Sequence, residues 1–284
     1  MVKLIDGKRI ASELQQKLKD DITRLFPINK RPGLATILIG EDPASQVYVR
    51  NKHKACEDVG ITSKGVVLPK DVSYEKVAST IISFNKDLAI DGILLQLPIP
   101  EHLKSRTNEL IELIAPEKDV DCYTRINMGR LIAGEGIFAP CTPKGIVHMV
   151  KAMGESWEGK NVTIINRSIE VGKPLAILLL KENATVTVCH TRTKDVGAHC
   201  RSADVVVVAV GRAKFLTSEM VAENSIVIDV GMNRVEGKLT GDADFEALSS
   251  KVKFITPVPG GVGPMTVAML MENTFLAAKQ RRLK

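Results

Sequence analysis

Val162-Thr-Ile-Ile-Asn-Arg-Ser-Ile-Glu-Val-Gly-Lys-Pro174 is an apolar run followed by a polar turn with one glycine, and a helix-length segment comes next. This order predicts a buried strand, a tight turn and the first turn of a helix. The start of such a helix offers backbone N–H groups and the positive end of the helix dipole to an anion. The turn lacks the G-x-G-x-x-G fingerprint, so an ordinary loop stays the alternative at this point.

The region around this turn repeats the same alternation of strands and helices. A helix is expected at 174–181. Further apolar runs predict four more strands, at 185–188, 204–210, 225–230 and 252–255. Continuous apolar strands separated by helices are typical of a parallel sheet covered on both faces. This half of the chain is therefore predicted to be a Rossmann-like α/β domain.

The first part of the chain has its own β-α pattern. Helices are expected at 7–25, 43–59 and 74–84, with strands at 34–40, 65–68 and 92–95. A last amphipathic helix begins near Met265. We predict two α/β domains around a cleft: 1–119 plus 265–284, and 140–264, joined by a connection at 120–139. Thr142 is expected to cap a helix whose first residue is Pro143.

Composition excludes several classes of protein. The five cysteines of the 284 residues form no C-x-x-C pair and the five histidines have no ligand spacing, so neither a disulfide framework nor a metal site is predicted. The net charge of +6 comes from lysines and arginines interleaved with acids, which argues against nucleic acid as a partner. No apolar stretch reaches the roughly 18 residues of a membrane span. A cytoplasmic protein without a membrane partner is expected.

The strand at 185–188 is followed by Cys189-His-Thr-Arg-Thr193, without the acid that binds the ribose hydroxyls in NAD sites. Arg167 and Arg192 offer rigid forks of donors, and the hydroxyls of Ser168 and Thr191 are suited to the same task. We expect a 2′-phosphate, and therefore NADP. A histidine in the position of His190 is more often a spacer at the end of a strand than a ligand.

Polar side chains in the first part are also candidates. Ser45, Tyr48 and Lys52 stand three and four residues apart, so they share one face of a helix, which by itself could be only a solvated stripe. Gln96 ends a buried strand, where ligand sites of α/β proteins cluster. Asp121 lies in a segment that composition alone would make a turn.

The chain resembles the bifunctional methylenetetrahydrofolate dehydrogenase/cyclohydrolases nearly from end to end. Six motifs in order carry the resemblance: Ser45-Gln-Val-Tyr-Val-Arg-Asn-Lys52, Gln96-Leu-Pro98, Pro116-Glu-Lys-Asp-Val-Asp121, Pro140-Cys-Thr-Pro143, Arg167-Ser168 with Val171-Gly-Lys-Pro174, and Pro257-Val-Pro-Gly-Gly-Val-Gly-Pro-Met-Thr266. The resemblance implies oxidation of 5,10-methylenetetrahydrofolate with NADP, hydrolysis of the methenyl product to 10-formyltetrahydrofolate, and a homodimer formed through the second domain.

The resemblance also implies a role for each matching residue. Lys52 would be the base or polarising group, Tyr48 would stack near the folate, Gln96 would tune Lys52, and Asp121 would hold the pterin. Further substrate contacts are implied for Ser45, Pro259, Gly260 and Gly261. Cofactor contacts are implied for Arg167, Ser168, Val171, Gly172, His190, Thr191, Arg192, Gly211, Met232 and Thr266.

Three residues depart from the family pattern: Asn166 and Cys122 stand where glycine is usual, and Glu170 where an apolar residue is usual. An acid beside a pyrophosphate repels it unless it points away or pairs with Lys173. Two alternative functions stay open, of which only the first is suggested by Asn166 and Glu170. One is a cyclohydrolase that has lost hydride transfer, and the other is a non-catalytic protein that binds dinucleotide or folate.

Overall fold

The computed structural model describes residues 3–283. The strands are β1 (Lys3–Leu4), β2 (Gly33–Ile39), β3 (Thr62–Leu68), β4 (Gly92–Leu95), β5 (Asn161–Ile165), β6 (Thr185–Cys189), β7 (Val205–Val208), β8 (Ile226–Asp229), β9 (Asn233–Val235), β10 (Lys238–Thr240) and β11 (Phe254–Ile255). The α-helices are α1 (Gly7–Leu25), α2 (Pro43–Val59), α3 (Tyr74–Lys86), α4 (Glu101–Lys104), α5 (Thr107–Glu112), α6 (Arg125–Ala133), α7 (Cys141–Ala152), α8 (Gly172–Lys181), α9 (Val196–Arg201), α10 (Phe245–Ser249) and α11 (Val262–Arg282).

The chain divides into two compact units. Unit 1 holds the residues through Ser12 together with Pro140–Thr266, and unit 2 holds Glu13–Ala139 and the residues from Val267 onward. The contacts differ from the expected boundaries at three places, one of which is that Met265 and Thr266 fall in unit 1. The first residues belong to unit 1, because β1 pairs with β11, and the expected connection at 120–139 groups with unit 2.

Unit 1 is built on a six-stranded sheet in the order β1-β11-β8-β7-β5-β6, in which every pair of neighbours is parallel. Its inner strands β5, β7, β8 and β11 are buried almost throughout, as strands covered on both faces require. β5 has β6 on one side and β7 on the other, so the strand order reverses there. Ligands of α/β sheets bind outside the carboxyl ends of the strands at such a point. The turns that follow β5, β6 and β7 are therefore the expected ligand-binding turns of this sheet.

Unit 2 has a three-stranded parallel sheet in the order β3-β2-β4. β2 and β4 are buried along their whole lengths, and the helix α3 packs its apolar side into the same core. The order again reverses at the central strand. α2, which follows β2, and Gln96, which follows β4, both lie at the carboxyl edge of this sheet.

A buried charge cluster joins the end of α11 to the sheet of unit 2. Asp91 is fully buried directly before β4, and Arg281 and Arg282 donate to its Oδ1 from 2.7 and 2.8 Å. The backbone N–H of Gly33 donates to the other oxygen from 2.9 Å. Since an unpaired buried carboxylate is costly, the two arginines and this amide stabilise the junction between β2, β4 and α11.

The α/β fold class predicted from the pattern is confirmed, and most helices and strands lie within a few residues of their expected bounds. β3 begins three residues before the expected strand, and α11 begins before Met265. Within residues 3–283, no helix combines the length and apolar character needed to cross a membrane.

Candidate active site

A lysine and a glutamine meet at the carboxyl edge of the sheet in unit 2. Lys52 Nζ on α2 donates to Gln96 Oε1 directly after β4, over 2.9 Å. The glutamine is fixed in turn, since its own Nε2 donates to the Leu97 carbonyl over 2.6 Å and its backbone N–H donates to the Ile37 carbonyl. With its nitrogen engaged in this way, the amide can present only its oxygen to the lysine. The amine is therefore held in a defined place.

The start of α2 explains how Lys52 arrives there. Asp42 caps the helix by accepting from the Ser45 N–H over 2.8 Å, and Pro43 occupies the first helical position. The backbone N–H of Ser45 lowers the pKa of the Asp42 carboxyl, which keeps it ionised as a cap. Ser45 is buried, and Tyr48, one turn further, is half-buried, which raises the pKa of its phenol. Ser45, Tyr48 and Lys52 share one helical face, as their spacing predicts.

His53 is a polar residue of this region that the sequence did not indicate. Its Nε2 lies 2.8 Å from the Thr36 hydroxyl on β2, and its ring packs against Gly65 on β3, where a Cβ would stand only 2.5 Å from Cε1. Burial lowers the pKa of His53, and Glu57 opposes that shift. The ring therefore fastens α2 to both neighbouring strands as a neutral group.

The segment that carries Asp121 is held by buried polar side chains. An isolated parallel bridge joins Asp119 to Ile93, which places the segment beside β4. Lys118 is only 1% exposed, and its Nζ donates over 2.8 Å to each of three carbonyls at the end of α3: Phe84, Asn85 and Asp87. Desolvation is the main reason why the pKa of Lys118 is lowered to about 8. The lysine ties the segment to α3.

Asp119 holds the other side of the same segment. Its carboxylate accepts from the backbone N–H groups of Tyr123 and Thr124, the Thr124 hydroxyl and the Asn127 amide, at 2.7 to 3.1 Å. From α11, Asn273 donates to the Val120 and Ala139 carbonyls over 2.7 and 3.0 Å. Asp121 therefore belongs to a segment whose backbone is held on both sides.

Cys122 has a left-handed backbone, with φ at 61°. This conformation favours glycine, and it accounts physically for the usual residue of the family at this position. The cysteine is fully buried, so its side chain fills space that a glycine would leave empty.

In unit 1, the turn after β5 is organised by Asn166. Its Oδ1 accepts from the backbone N–H groups of Ser168 and Gly172 over 2.8 and 3.0 Å, and its Nδ2 donates to the Ala209 carbonyl after β7 over 2.6 Å. Ser168 Oγ accepts from the Val171 N–H over 3.1 Å. These amides are therefore already bonded within the chain. This differs from the anion site lined by backbone amides that the sequence suggested.

The turn after β6 lies beside it, because Ile165 and Cys189 are partners in the pairing of β5 with β6. The His190 N–H donates to the Thr193 hydroxyl over 2.9 Å, and His190 Nδ1 accepts from the Arg192 N–H over 3.1 Å. His190 is thus more than a spacer, since its ring shapes the turn. Arg167, Thr191 and Arg192 are exposed on these two neighbouring turns, and within residues 3–283 Arg167 and Arg192 form no ion pair.

The loop after β7 is held by one buried carboxylate. Asp242, fully buried, accepts from the successive N–H groups of Val210, Gly211 and Arg212 at 2.5 to 2.9 Å and from the Asn233 amide over 2.8 Å. Three convergent N–H groups of this kind form an anion nest, and here the Asp242 carboxylate occupies it. Nothing in the sequence pattern singled out Asp242.

A second buried acid supports the first. Asp229, at the end of β8, accepts from the N–H groups of Gly231, Asp242 and Ala243, each over 2.9 Å. Burial raises the pKa of Asp229 to about 6, and these three donors oppose the shift. Met232 lies three residues after Asp229 and is half exposed.

The glycine-rich loop before α11 packs against the start of α1. The Lys8 N–H donates to the Gly260 carbonyl over 3.1 Å, and a Cβ at Gly7 would lie 1.8 Å from the Gly261 oxygen. Gly260 has φ at 109°, which excludes most other residues. The loop therefore needs its glycines for close backbone contact. Pro259, Gly260 and Gly261 all fall in unit 1.

Thr142 does not cap a helix as expected. α7 begins at Cys141 with Pro140 at the N-cap, and the Thr142 hydroxyl instead bonds the Thr266 hydroxyl over 2.9 Å. A proline at 140 fixes the entry of the chain, so the helix starts two residues before the capping pattern suggests.

Glu170 lies in the turn before α8, and within residues 3–283 it forms no ion pair with Lys173. Lys173 therefore does not offset the negative charge of Glu170 beside the expected phosphate site. Together, the structure brings Lys52 to Gln96 and sets the segment that carries Asp121 beside β4 in unit 2. In unit 1 it gathers the turns at 166–172, 190–193 and 210–212 at one sheet edge.

Known protein families match the two parts of the chain separately. Residues 5–121 match the family model for the tetrahydrofolate dehydrogenase/cyclohydrolase catalytic domain, and residues 140–282 match its NAD(P)-binding domain. The chain is 49% identical over 278 residues to the bifunctional protein FolD of Moorella thermoacetica, covering 98% of this chain and 99% of that protein.

Two solved structures are similar over nearly the whole chain. The bifunctional FolD enzyme of Campylobacter jejuni superimposes with a TM-score of 0.95 at 44% identity, covering 99% of this chain and 100% of that one. The enzyme of Trypanosoma brucei, solved in complex with NADP and an inhibitor, gives 0.93 at 36% identity, with 100% and 99% coverage.

Proposed function

Because the chain belongs to the tetrahydrofolate dehydrogenase/cyclohydrolase family, we propose that Lys52 and its neighbours in unit 2 perform the family's chemistry. The enzyme oxidises 5,10-methylenetetrahydrofolate to the 5,10-methenyl form with NADP and hydrolyses that product to 10-formyltetrahydrofolate. The assignment of residues rests above all on one observation, the contact of the Lys52 amine with the Gln96 carbonyl.

The hydrolysis needs a group that takes a proton from the attacking water. As a neutral amine, Lys52 can accept the proton and return it when the ring opens. Gln96 Oε1 accepts one N–H of the amine, which directs the nitrogen lone pair away from the glutamine. Gln96 is therefore the residue that orients Lys52.

We assign the remaining residues of unit 2 to the folate. Tyr48 stands one turn before Lys52 on the same helical face, where its ring can stack beside the substrate. Asp121 offers a carboxylate to the N–H donors of the pterin from a braced turn. Ser45 lies at the start of the same face. Pro259, Gly260 and Gly261, which belong to unit 1, are also assigned to the substrate, on the family resemblance.

The donor set of unit 1 fits NADP. The turns after β5 and β6 carry exposed Arg167, Arg192 and Thr191 and contain no acid at the end of β6, which suits a 2′-phosphate. When bound, NADP supplies the acceptor of the hydride that leaves the methylene carbon. We assign the same role in binding to Ser168, Val171, Gly172, His190, Gly211, Met232 and Thr266.

A single assay separates this function from its two alternatives. Purified protein is mixed with methylenetetrahydrofolate and NADP, and NADPH and methenyl product are followed by near-ultraviolet absorbance. We expect NADPH to accumulate while the methenyl signal rises and then decays. Hydrolysis of added methenyl substrate without NADPH formation would support the cyclohydrolase alone. If neither signal changes while both ligands bind, the protein is a binding protein.

We further propose a cytoplasmic homodimer that associates through unit 1. The apolar strand β7 is fully buried inside the sheet, so it is not the dimer surface. β6 forms an edge of the sheet, and Val188 on it and Leu180 on α8 are exposed, at 37% and 57%. Exposed apolar groups near a sheet edge support association there. Light scattering should give twice the chain mass, and Leu180→Glu should reduce it.

A further inference from the structure

Asn166 departs from the family pattern and makes more hydrogen bonds than any other side chain of its turn. We propose that Asn166 is a positioning residue for the cofactor, which holds Arg167 and Ser168 where they recognise the 2′-phosphate. The inference rests on the proposed function, because it takes the turns after β5 and β6 as the NADP site.

The amide of Asn166 is engaged on both sides. Its oxygen accepts from the Ser168 and Gly172 N–H groups, and its nitrogen donates to the Ala209 carbonyl. The first two bonds close the turn around Arg167. The third ties this turn to the end of β7, next to the residues that Asp242 holds. One side chain thus fixes the relative position of two connections at the carboxyl edge of the sheet.

The bonds also decide which groups are left for an anion. The Asn166 side-chain oxygen accepts from the Ser168 and Gly172 N–H groups. It therefore occupies the position that a phosphate oxygen takes at many helix N-termini. The charge of the cofactor must then be met by side chains. Ser168 Oγ accepts from the Val171 N–H, so its own hydrogen stays available to donate. The Arg167 guanidinium, exposed beside it, supplies the charge.

The close packing at Gly172 shows how tightly the turn is built. A Cβ at Gly172 would lie 2.1 Å from the Asn166 backbone oxygen and 2.8 Å from its Oδ1. Without the amide of Asn166, the turn would keep this close approach but lose the acceptor that closes it. Arg167 and Ser168 would then sample several positions, which weakens recognition of the group that they bind.

The first experiment measures backbone hydrogen exchange by NMR in the unmodified protein. If Asn166 already binds the Ser168 and Gly172 amides, both should exchange slowly before any cofactor is added, and saturating NADP should slow them by less than about threefold. Fast exchange without cofactor, followed by strong protection on adding NADP, would show that these amides bind the phosphate. That result overturns the proposal, and it needs no variant.

The second experiment compares the dissociation constants for NADP and NAD in Asn166→Ala. We expect at least a tenfold rise for NADP and no more than about threefold for NAD, because Arg167 and Ser168 act on the 2′-phosphate that NAD lacks. A matched control is Asn85→Ala in unit 2. The amide of Asn85 likewise bridges two backbone groups, donating to the Leu113 carbonyl over 2.6 Å and accepting from the Ala115 N–H over 3.0 Å.

Asn85→Ala should lower the thermal midpoint by a similar amount and leave both dissociation constants unchanged. A folded Asn166→Ala protein whose preference for NADP over NAD equals that of the wild type refutes the positioning role. If that variant does not fold, the exchange experiment decides. A wild-type protein that binds no NADP would instead refute the proposed function, and this is seen before any variant is compared.

Discussion

Replacing Lys52 by methionine separates the two activities in one protein. Methionine keeps most of the length of the aliphatic stem and removes the amine. Hydrolysis loses its proton acceptor, and general-base catalysis is worth about 10²–10⁴ in rate, or roughly 3–5 kcal/mol of barrier. Hydride transfer depends mainly on the placement of the two reactants, so we expect that rate to fall by about tenfold or less.

The structure sets the accompanying loss of stability. One hydrogen bond, from Lys52 Nζ to Gln96 Oε1, disappears, and the glutamine oxygen loses that donor. Removing a single partner costs on the order of 1 kcal/mol, which a folded domain tolerates. The Gln96 amide keeps its bond to the Leu97 carbonyl. The variant should therefore stay folded with an intact folate pocket.

The assay follows the decay of added methenyltetrahydrofolate without NADP, and separately the formation of NADPH. Lys54→Met is the matched control, because Lys54 is exposed on the same helix and within residues 3–283 forms no ion pair. It should change neither rate. If folded Lys52→Met protein hydrolyses the methenyl substrate near the wild-type rate, Lys52 is not the proton acceptor and its assignment is wrong.

Three further variants test other parts of the molecule. Replacing Arg167 and Ser168 together by alanine should raise the KM for NADP at least tenfold and change that for NAD little; equal effects on both would contradict 2′-phosphate recognition. Asp242→Asn puts an amide nitrogen among three N–H donors, so the free energy of unfolding measured in urea should fall by about 2–4 kcal/mol, and NADP should bind more weakly. An unchanged urea midpoint would count against Asp242 as the residue that holds the loop after β7. Burial lowers the pKa of His53 below 6.5, so the unfolded chain takes up the proton first, and stability is lost as the pH falls through 6.5 towards the folded-state pKa. His53→Gln should therefore flatten the dependence of urea stability on pH between pH 7 and 5. An identical slope in both proteins would refute His53 as the origin of this dependence.

The sequence predicted the sheets and the helices between them because buried parallel strands leave a strong signal. β2 and β4 are continuous apolar runs, and their expected bounds lie within one residue of the observed ones. The pattern missed β1, since two residues at the start of a chain carry no periodicity, and their place is set by pairing with β11. The same long-range pairing moved the first residues into unit 1.

The candidate site was predictable where a motif carries a reactive side chain, as at Lys52 and Gln96. The residues that hold such groups gave no signal. Asp242 and Asn273 lie 30 or more residues along the chain from most of the backbone groups that they bind, and only folding brings them together. Asn166 was noticed as a departure from the family pattern. Its meaning required the three hydrogen bonds of its amide.

The interleaved chain path has a consequence for folding during synthesis, in which the N-terminal residues leave the ribosome first. β1 waits for β11, which is made about 250 residues later, before its pairing partner exists. Asp91 likewise waits for Arg281 and Arg282, made 190 and 191 residues after it. Neither unit can therefore finish as an independent early intermediate. We expect both to be completed only once α11 has been made, so resistance to proteases should appear after Arg281 and Arg282 have left the ribosome.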